Sequence, residues 1–289
     1  MSAIIQYTVQ GLASGSFYAL SALGLAVIFG MLGVVNFAHG ACFMLGAVAA
    51  AVLLDTVGLG FWLSLLVVPL LLFVLGIAIE RLLVRWLVAL DPLYNFLLTF
   101  GLSLLVVDLV KRRYGVSALR YESPRGLDSV IELGSLRIPQ YQLFVFAFSL
   151  LVCAVVWFVL ARTRVGMIVR ASTENADLSR ALGIDVGRWV TPVFGFGIAL
   201  AGLSGVLAAP MRAVTADMGG NFVIILFAVV VIGGLGSIVG AVVAGFAVGL
   251  VEAFGQAFAP SLSQILIFVL MALVVLVRPS GLFGREEVA

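Results

Sequence analysis

Residues 8–30 read TVQGLASGSFYALSALGLAVIFG, an apolar run with no acidic or basic side chain. A helix crosses the hydrocarbon core of a bilayer with about 20 such residues, so the stretch reads as a membrane span. The same reading extends along the chain. No charged residue precedes Asp55, and comparable runs recur at 37–54, 60–80, 93–110, 139–161, 189–209, 222–256 and 261–277. The run at 222–256 is long enough for two pieces, interrupted at Gly233, Gly234, Leu235, Gly236 and Ser237.

Composition agrees with the runs. The chain is 63% hydrophobic and 10% charged, with a mean hydropathy of +1.26, whereas about a quarter of the residues of a soluble domain are charged. Only helices and closed barrels satisfy every backbone group in lipid, and these runs lack the period-2 alternation of barrel strands. The expected fold is all-α: a polytopic transmembrane bundle of about eight spans, some helices discontinuous, forming one domain over residues 1–289. The N-terminus lacks the basic region of a cleaved leader, so the first helix is expected to remain in the mature protein. A net charge of +2 gives no basis for nucleic-acid binding, and Cys42 and Cys153 lie in apolar runs as small buried hydrophobes.

Residues 162–188 break the apolar pattern. Arg162, Arg164, Arg170, Arg180 and Arg188 crowd this one loop, which the positive-inside rule assigns to the cytoplasm, together with a C-terminus carrying Arg278 and Arg285. Alternation then puts 111–138 outside, although Lys111, Arg112 and Arg113 open it. A hidden half-span in the N-terminal half is one way to reconcile this, and the orientation of 1–110 stays open. Inside the loop, Thr173 is placed to cap a short helix whose first turn holds Glu174, with Asn175 and Ala176 following and Gly183 after the last turn. Leu178, Ala181 and Leu182 share a face. That ridge suits a groove on a cytoplasmic partner, and equally an interfacial helix lying on the headgroups.

Two glycine-rich interruptions, at residues 30–40 and 233–240, echo each other in the two halves of the chain. Paired breaks of this kind point to discontinuous helices beside a transport path, although a chain with 32 glycines also produces such breaks by chance.

A family resemblance rests on these same residues. Arg170-Ala171, Asn175-Ala176 and Ala181-Leu182-Gly183-Ile184-Asp185 resemble the cytoplasmic loop by which permeases of ABC importers couple to their ATPases. Asn36-Phe37-Ala38-His39-Gly40, followed by Gly46-Ala47, is similar to the signature of LivH-type permeases for branched-chain amino acids and of their relatives for urea and short amides. The stretches 11–20 (GLASGSFYAL) and 201–207 (AGLSGVL), with Gly233 to Ser237 and Gly240, fit the same pattern. The resemblance spans about 8–283 and leaves 111–138 without a motif. It implies a second, LivM-like permease subunit, two cytoplasmic ATPase subunits, an extracytoplasmic substrate-binding protein, a bacterial inner membrane, and a coupling role for Thr173, Glu174, Asn175, Ala176, Leu178, Ala181, Leu182 and Gly183.

ATP and Mg²⁺ are expected on those ATPases. Lys111 is the only lysine and no GxxxxGK[ST] occurs, so the chain is expected to bind no cofactor and carry no catalytic residue. Candidate lining residues for a solute path are Asn36, His39, Gly40, Gly236, Ser237 and Glu252. Asn36 and Ser237 are also plain helix caps at Phe37 and Ile238. His39, the only histidine, suits a neutral ring donating to a backbone carbonyl, with no further ligands nearby for a metal. Glu252, one turn from Gln256, serves a path or a subunit contact, and Asp108 an interfacial salt bridge with Lys111 or Arg112. Rival readings are a secondary transporter coupled through Glu252, a urea channel, and an intramembrane protease using Ser204 in Gly202-Leu203-Ser204-Gly205 with His39 as base.

Overall fold

A computed structural model describes residues 2–87, 90–133, 136–174 and 176–284. The chain runs through α1 (Ser2–Leu32), α2 (His39–Val57) and α3 (Phe61–Ile79), the last continued by a π-helical turn at Glu80–Val84 and by Arg85–Leu87. Then come α4 (Pro92–Tyr114), a hairpin of β1 (Val130–Leu133) and β2 (Leu136–Pro139), and α5 (Gln140–Arg162). Two short helices, α6 (Arg164–Glu174) and α7 (Ala176–Ala181), lead to α8 (Val186–Ala208), α9 (Met218–Gly233), α10 (Ile238–Phe258) and α11 (Ser263–Val277). Among the described residues eight helices are long and apolar enough to cross a membrane, and α9 is a shorter apolar helix of 16 residues. The 222–256 run does divide in two, between Gly233 and Ile238.

The bundle is organised around α1, which packs on α10 along one face and on α8 along another. Lipid tails are as apolar as leucine, so close van der Waals fit and interhelical hydrogen bonds hold such helices together. Gly11 and Gly15 supply the fit. A Cβ on either would lie 2.9 Å from the Cα of Leu250 or 2.8 Å from that of Phe246. On the other face the Ser204 hydroxyl donates to the Phe17 carbonyl at 3.0 Å, and that of Ser21 donates to Ser204 at 3.2 Å.

One end of the bundle carries residues 162–188. The helix expected to open at Thr173 starts earlier there, because α6 is already helical from Arg164. Val169 and Ser172 are buried where α6 meets α5 and α1, and Arg170 donates to the Leu160 carbonyl. This anchorage overrides the capping signal, and Thr173 falls in the last turn of α6 rather than at a cap. At the same end Leu282 and Phe283 donate their amides to the carbonyls of Ile232 and Gly233, fastening the C-terminal segment beneath α9.

The opposite end carries the β-hairpin, whose register pairs Val130 with Pro139, and Leu119 bridges to Val214. Asp108 pairs with Arg112 at 2.7 Å as expected, while Lys111 turns instead to Asp217 at 2.6 Å. Two of the three basic residues that made this end awkward on charge grounds are thus neutralised.

Candidate functional site

A cleft of about 500 Å³ opens at the hairpin end, lined by Phe17, Tyr141, Met211, Arg212, Glu252 and Gln256 among others. Its polar floor joins three elements. Tyr18 on α1 donates its hydroxyl to Glu252 Oε2 at 2.9 Å; Arg212, from the α8–α9 connection, approaches Glu252 Oε1 and Oε2 at 3.4 and 3.3 Å and the Tyr18 hydroxyl at 3.3 Å; Gln256 Nε2 donates to Glu252 Oε1 at 3.3 Å. Burial alone would lower the Arg212 pKa, but the oxygens of Tyr18 and Glu252 outweigh it and hold the guanidinium above its ordinary value, so it stays charged.

Below this floor lies an aromatic column. Phe222 stacks on Tyr18 with ring centroids 5.3 Å apart and on Phe43 at 3.7 Å, the planes within 15° and 3°. α1, α9 and α2 therefore meet in one apolar layer. One turn further along α1, the fully buried His39 ring places Nε2 at 3.0 Å from the Ser21 carbonyl, leaving Nδ1 without a hydrogen-bond partner among the described residues. The Asn36 Oδ1 accepts from the Ala38 amide at 3.0 Å, and its buried Nδ2 likewise has no partner among the described residues. Asn36 thus orders the turn before α2, which begins at His39 rather than near Phe37. Gly40 packs backbone to backbone on Gly219 of α9.

Ser237 caps α10, accepting from the Gly240 amide at 3.1 Å, and Gly236 lies against Gly30 near the far end of α1. The six candidate lining residues are therefore strung along α1 in three places rather than gathered into one pocket. Glu252 is in the cleft, Asn36, His39 and Gly40 lie past the aromatic column, and Gly236 and Ser237 stand at the arginine-rich end.

At that end α7 stops as the sequence predicts. Gly183 has φ +84°, its amide donates to the Arg180 carbonyl, and the Ile184 amide donates to Ser179. This is a Schellman stop, which an L side chain at the glycine would strain. Leu178 and Leu182 are 57% and 74% exposed, a pair of large apolar side chains standing off the bundle. Asn175 lies outside the described residues, as do the side chains of Thr173, Glu174 and Ala176.

Beside it sits an ionic node that the sequence did not reveal. Glu80 opens the π-helical turn and is 2% exposed; it takes a 2.7 Å bond from the Thr191 hydroxyl of α8 and pairs with Arg85 at 3.2 Å, while Arg85 Nη2 also reaches Thr191 at 2.8 Å. Arg212 and Tyr18 were missed in the same way. Only a lone arginine between two apolar runs and a tyrosine inside the first span hinted at them.

The protease geometry is not formed. His39 bonds the Ser21 backbone while Ser204 bonds Ser21 and Phe17, and no hydrogen bond joins His39 to Ser204 among the described residues. Among those residues no three His, Cys, Asp or Glu side chains cluster as a metal site would require.

Residues 7–275 match the family described as "Branched-chain amino acid transport system / permease component". The high-affinity branched-chain amino acid transport system permease protein BraD of Pseudomonas aeruginosa is 32% identical over 98% of this chain and 97% of its own length. LivH of Escherichia coli K12, a permease of the same description, is 29% identical over 98% and 96%. A probable branched-chain amino acid transport permease, LivH of Methanocaldococcus jannaschii, is 29% identical over 92% and 88%. No solved structure matches the chain. With most of its length matched and its helices long enough for a multi-pass membrane protein, the chain belongs to the family of permease components of branched-chain amino acid transport systems.

Proposed function

We propose that this chain is the permease subunit of an ATP-driven importer of branched-chain amino acids in a bacterial inner membrane. The observation that carries the reading is polar asymmetry along α1: a charged cleft at one end, and at the other an exposed Leu178–Leu182 pair on a helix closed by Gly183. With the arginine-rich loop in the cytoplasm, alternation of the spans puts the N-terminus and the cleft outside. A substrate-binding protein then delivers to the cleft, and two ATPase subunits engage α7. ATP and Mg²⁺ belong to those ATPases, and a second, LivM-like permease completes the membrane core.

The test is reconstitution of the chain with a second permease, ATPases and binding protein in liposomes. Leucine uptake that requires internal ATP and the external binding protein is the expected result. Uptake driven by a proton or sodium gradient without ATP would overturn the reading, and so would ATP-driven uptake of urea in place of leucine.

A further inference from the structure

We propose that Arg212 and Glu252 form a recognition site for the α-amino-acid zwitterion within the permease itself, a point at which the solute is checked after it leaves its carrier. This rests on the import reading above and adds to it the residues that hold the solute.

The geometry leaves the guanidinium half used. Every protein contact of Arg212 within hydrogen-bond distance is made by Nη2, at 3.3–3.4 Å, longer than the usual charge-assisted bond of about 2.7–2.9 Å. Guanidinium carries five N–H donors in a planar fork, so Nε and Nη1 retain unspent donors among the described residues. The group is held by cation–π contact with Phe17 and Tyr18, 5.9 and 5.7 Å from the ring centroids. It remains 31% exposed at the cleft wall. A carboxylate entering the cleft therefore finds an oriented fork.

Glu252 supplies the opposite charge beside it. Its oxygens accept from Tyr18 and Gln256 in addition to Arg212, so it stays anchored when a solute carboxylate draws Arg212 aside. The pair is neutral as a unit. A lone cation or anion gains one attraction and meets one repulsion there, and a neutral amide such as urea offers no full charge to either member. A zwitterion matches both. Phe17, Met211 and Tyr141 line the same cleft and offer apolar surface to an aliphatic side chain. A volume near 500 Å³ lies within the roughly 300–1,000 Å³ of small-molecule sites.

The experiment uses the complete importer, with three probes: leucine, its deaminated analogue 4-methylpentanoate and its decarboxylated analogue isoamylamine. Radioligand binding to the detergent-purified assembly without binding protein should be saturable for leucine and at least tenfold weaker for either analogue. Arg212→Gln should abolish the preference for leucine over isoamylamine, and Glu252→Gln the preference over 4-methylpentanoate, in assemblies that keep all their subunits on size-exclusion chromatography. Arg212→Lys keeps the ion pair, and hence the fold, but loses the fork; it should assemble normally and import at least tenfold more slowly. Wild-type leucine preference and import in Arg212→Lys and Arg212→Gln would overturn the site while leaving the import reading intact. Failure of the wild-type assembly to use ATP would sink the import reading instead.

Discussion

Thr191 donates its hydroxyl to Glu80 at 2.7 Å across the contact between α8 and the π-helical turn that ends α3. π turns inside helices are frequent at functional sites, and this one fastens the end of α3 to α8. α8 follows the α7 stop with only Leu182 to Asp185 between them, and Asp185 caps it by accepting from the Arg188 amide. On the proposed docking of an ATPase at α7, this short connection and the Thr191 bond offer a displacement of α7 a route to α8 and α3.

Thr191→Val keeps the shape and removes the donor. A hydrogen bond to a charged group contributes about 1.5–3 kcal/mol, so the unfolding free energy in detergent should fall by an amount within that range and the melting temperature with it. Stimulation of the ATPase by loaded binding protein should fall with it. A variant that melts and couples like the wild type would show the node to be idle. Replacing Arg85 is a less selective probe, because it would leave the 2% exposed Glu80 carboxylate without its counter-charge.

At α7 the two apolar residues and the glycine separate docking from folding. Leu182→Asp changes a side chain that is 74% exposed, where substitutions normally stay within about 0.5 kcal/mol. Insertion and melting should therefore be unchanged while ATPase stimulation is lost. Gly183→Asp places a side chain at φ +84° and should cost about 1 kcal/mol or more, with the same loss of coupling. Full transport in Leu182→Asp would mean that the ridge lies on headgroups and docks nothing.

Much of this was legible in the chain because membrane spans declare themselves by run length, and the break at 233–237 by glycine and serine at positions that regular helix cannot use well. The Gly183 stop was legible for the same local reason. The start of α6 was not, since Thr173 and Glu174 carry a good capping signal and only the burial of Val169 and Ser172 against distant helices defeats it. The cleft was the hardest part to foresee. Tyr18, Arg212 and Glu252 meet across sequence separations of 194 and 40 residues, and no local pattern encodes such a meeting.

Gly40 tests whether α2 and α9 must touch. A Cβ there would overlap the Gly219 carbonyl and sit 2.6 Å from the Val223 Cβ. The neighbours are backbone and a β-branched side chain, neither able to swing away. Overpacking of this kind costs about 1–3 kcal/mol, so Gly40→Ala should lower the melting temperature and disturb the Phe43–Phe222 stack one turn away. Gly60→Ala is the control, because nothing among the described residues lies within 4 Å of a Cβ there, and it should melt like the wild type.

Past the aromatic column, Asn36 and His39 should behave differently on substitution. His39 spends its Nε2 contact on the Ser21 carbonyl, a structural use that a neutral amide can replace, so His39→Gln should retain import and melt close to the wild type. Asn36 spends its carbonyl oxygen on the Ala38 amide, but its buried Nδ2 has no partner among the described residues. An unsatisfied donor at that depth is costly, and a passing solute carboxylate would satisfy it. Asn36→Asp keeps the acceptor that holds the turn and replaces the donor with a group that repels a carboxylate. Import should fall at least tenfold, with the assembly intact and ATPase stimulation by loaded binding protein preserved. If import in Asn36→Asp stays normal, Asn36 only shapes the turn before α2; if import falls only alongside assembly, the loss is one of fold.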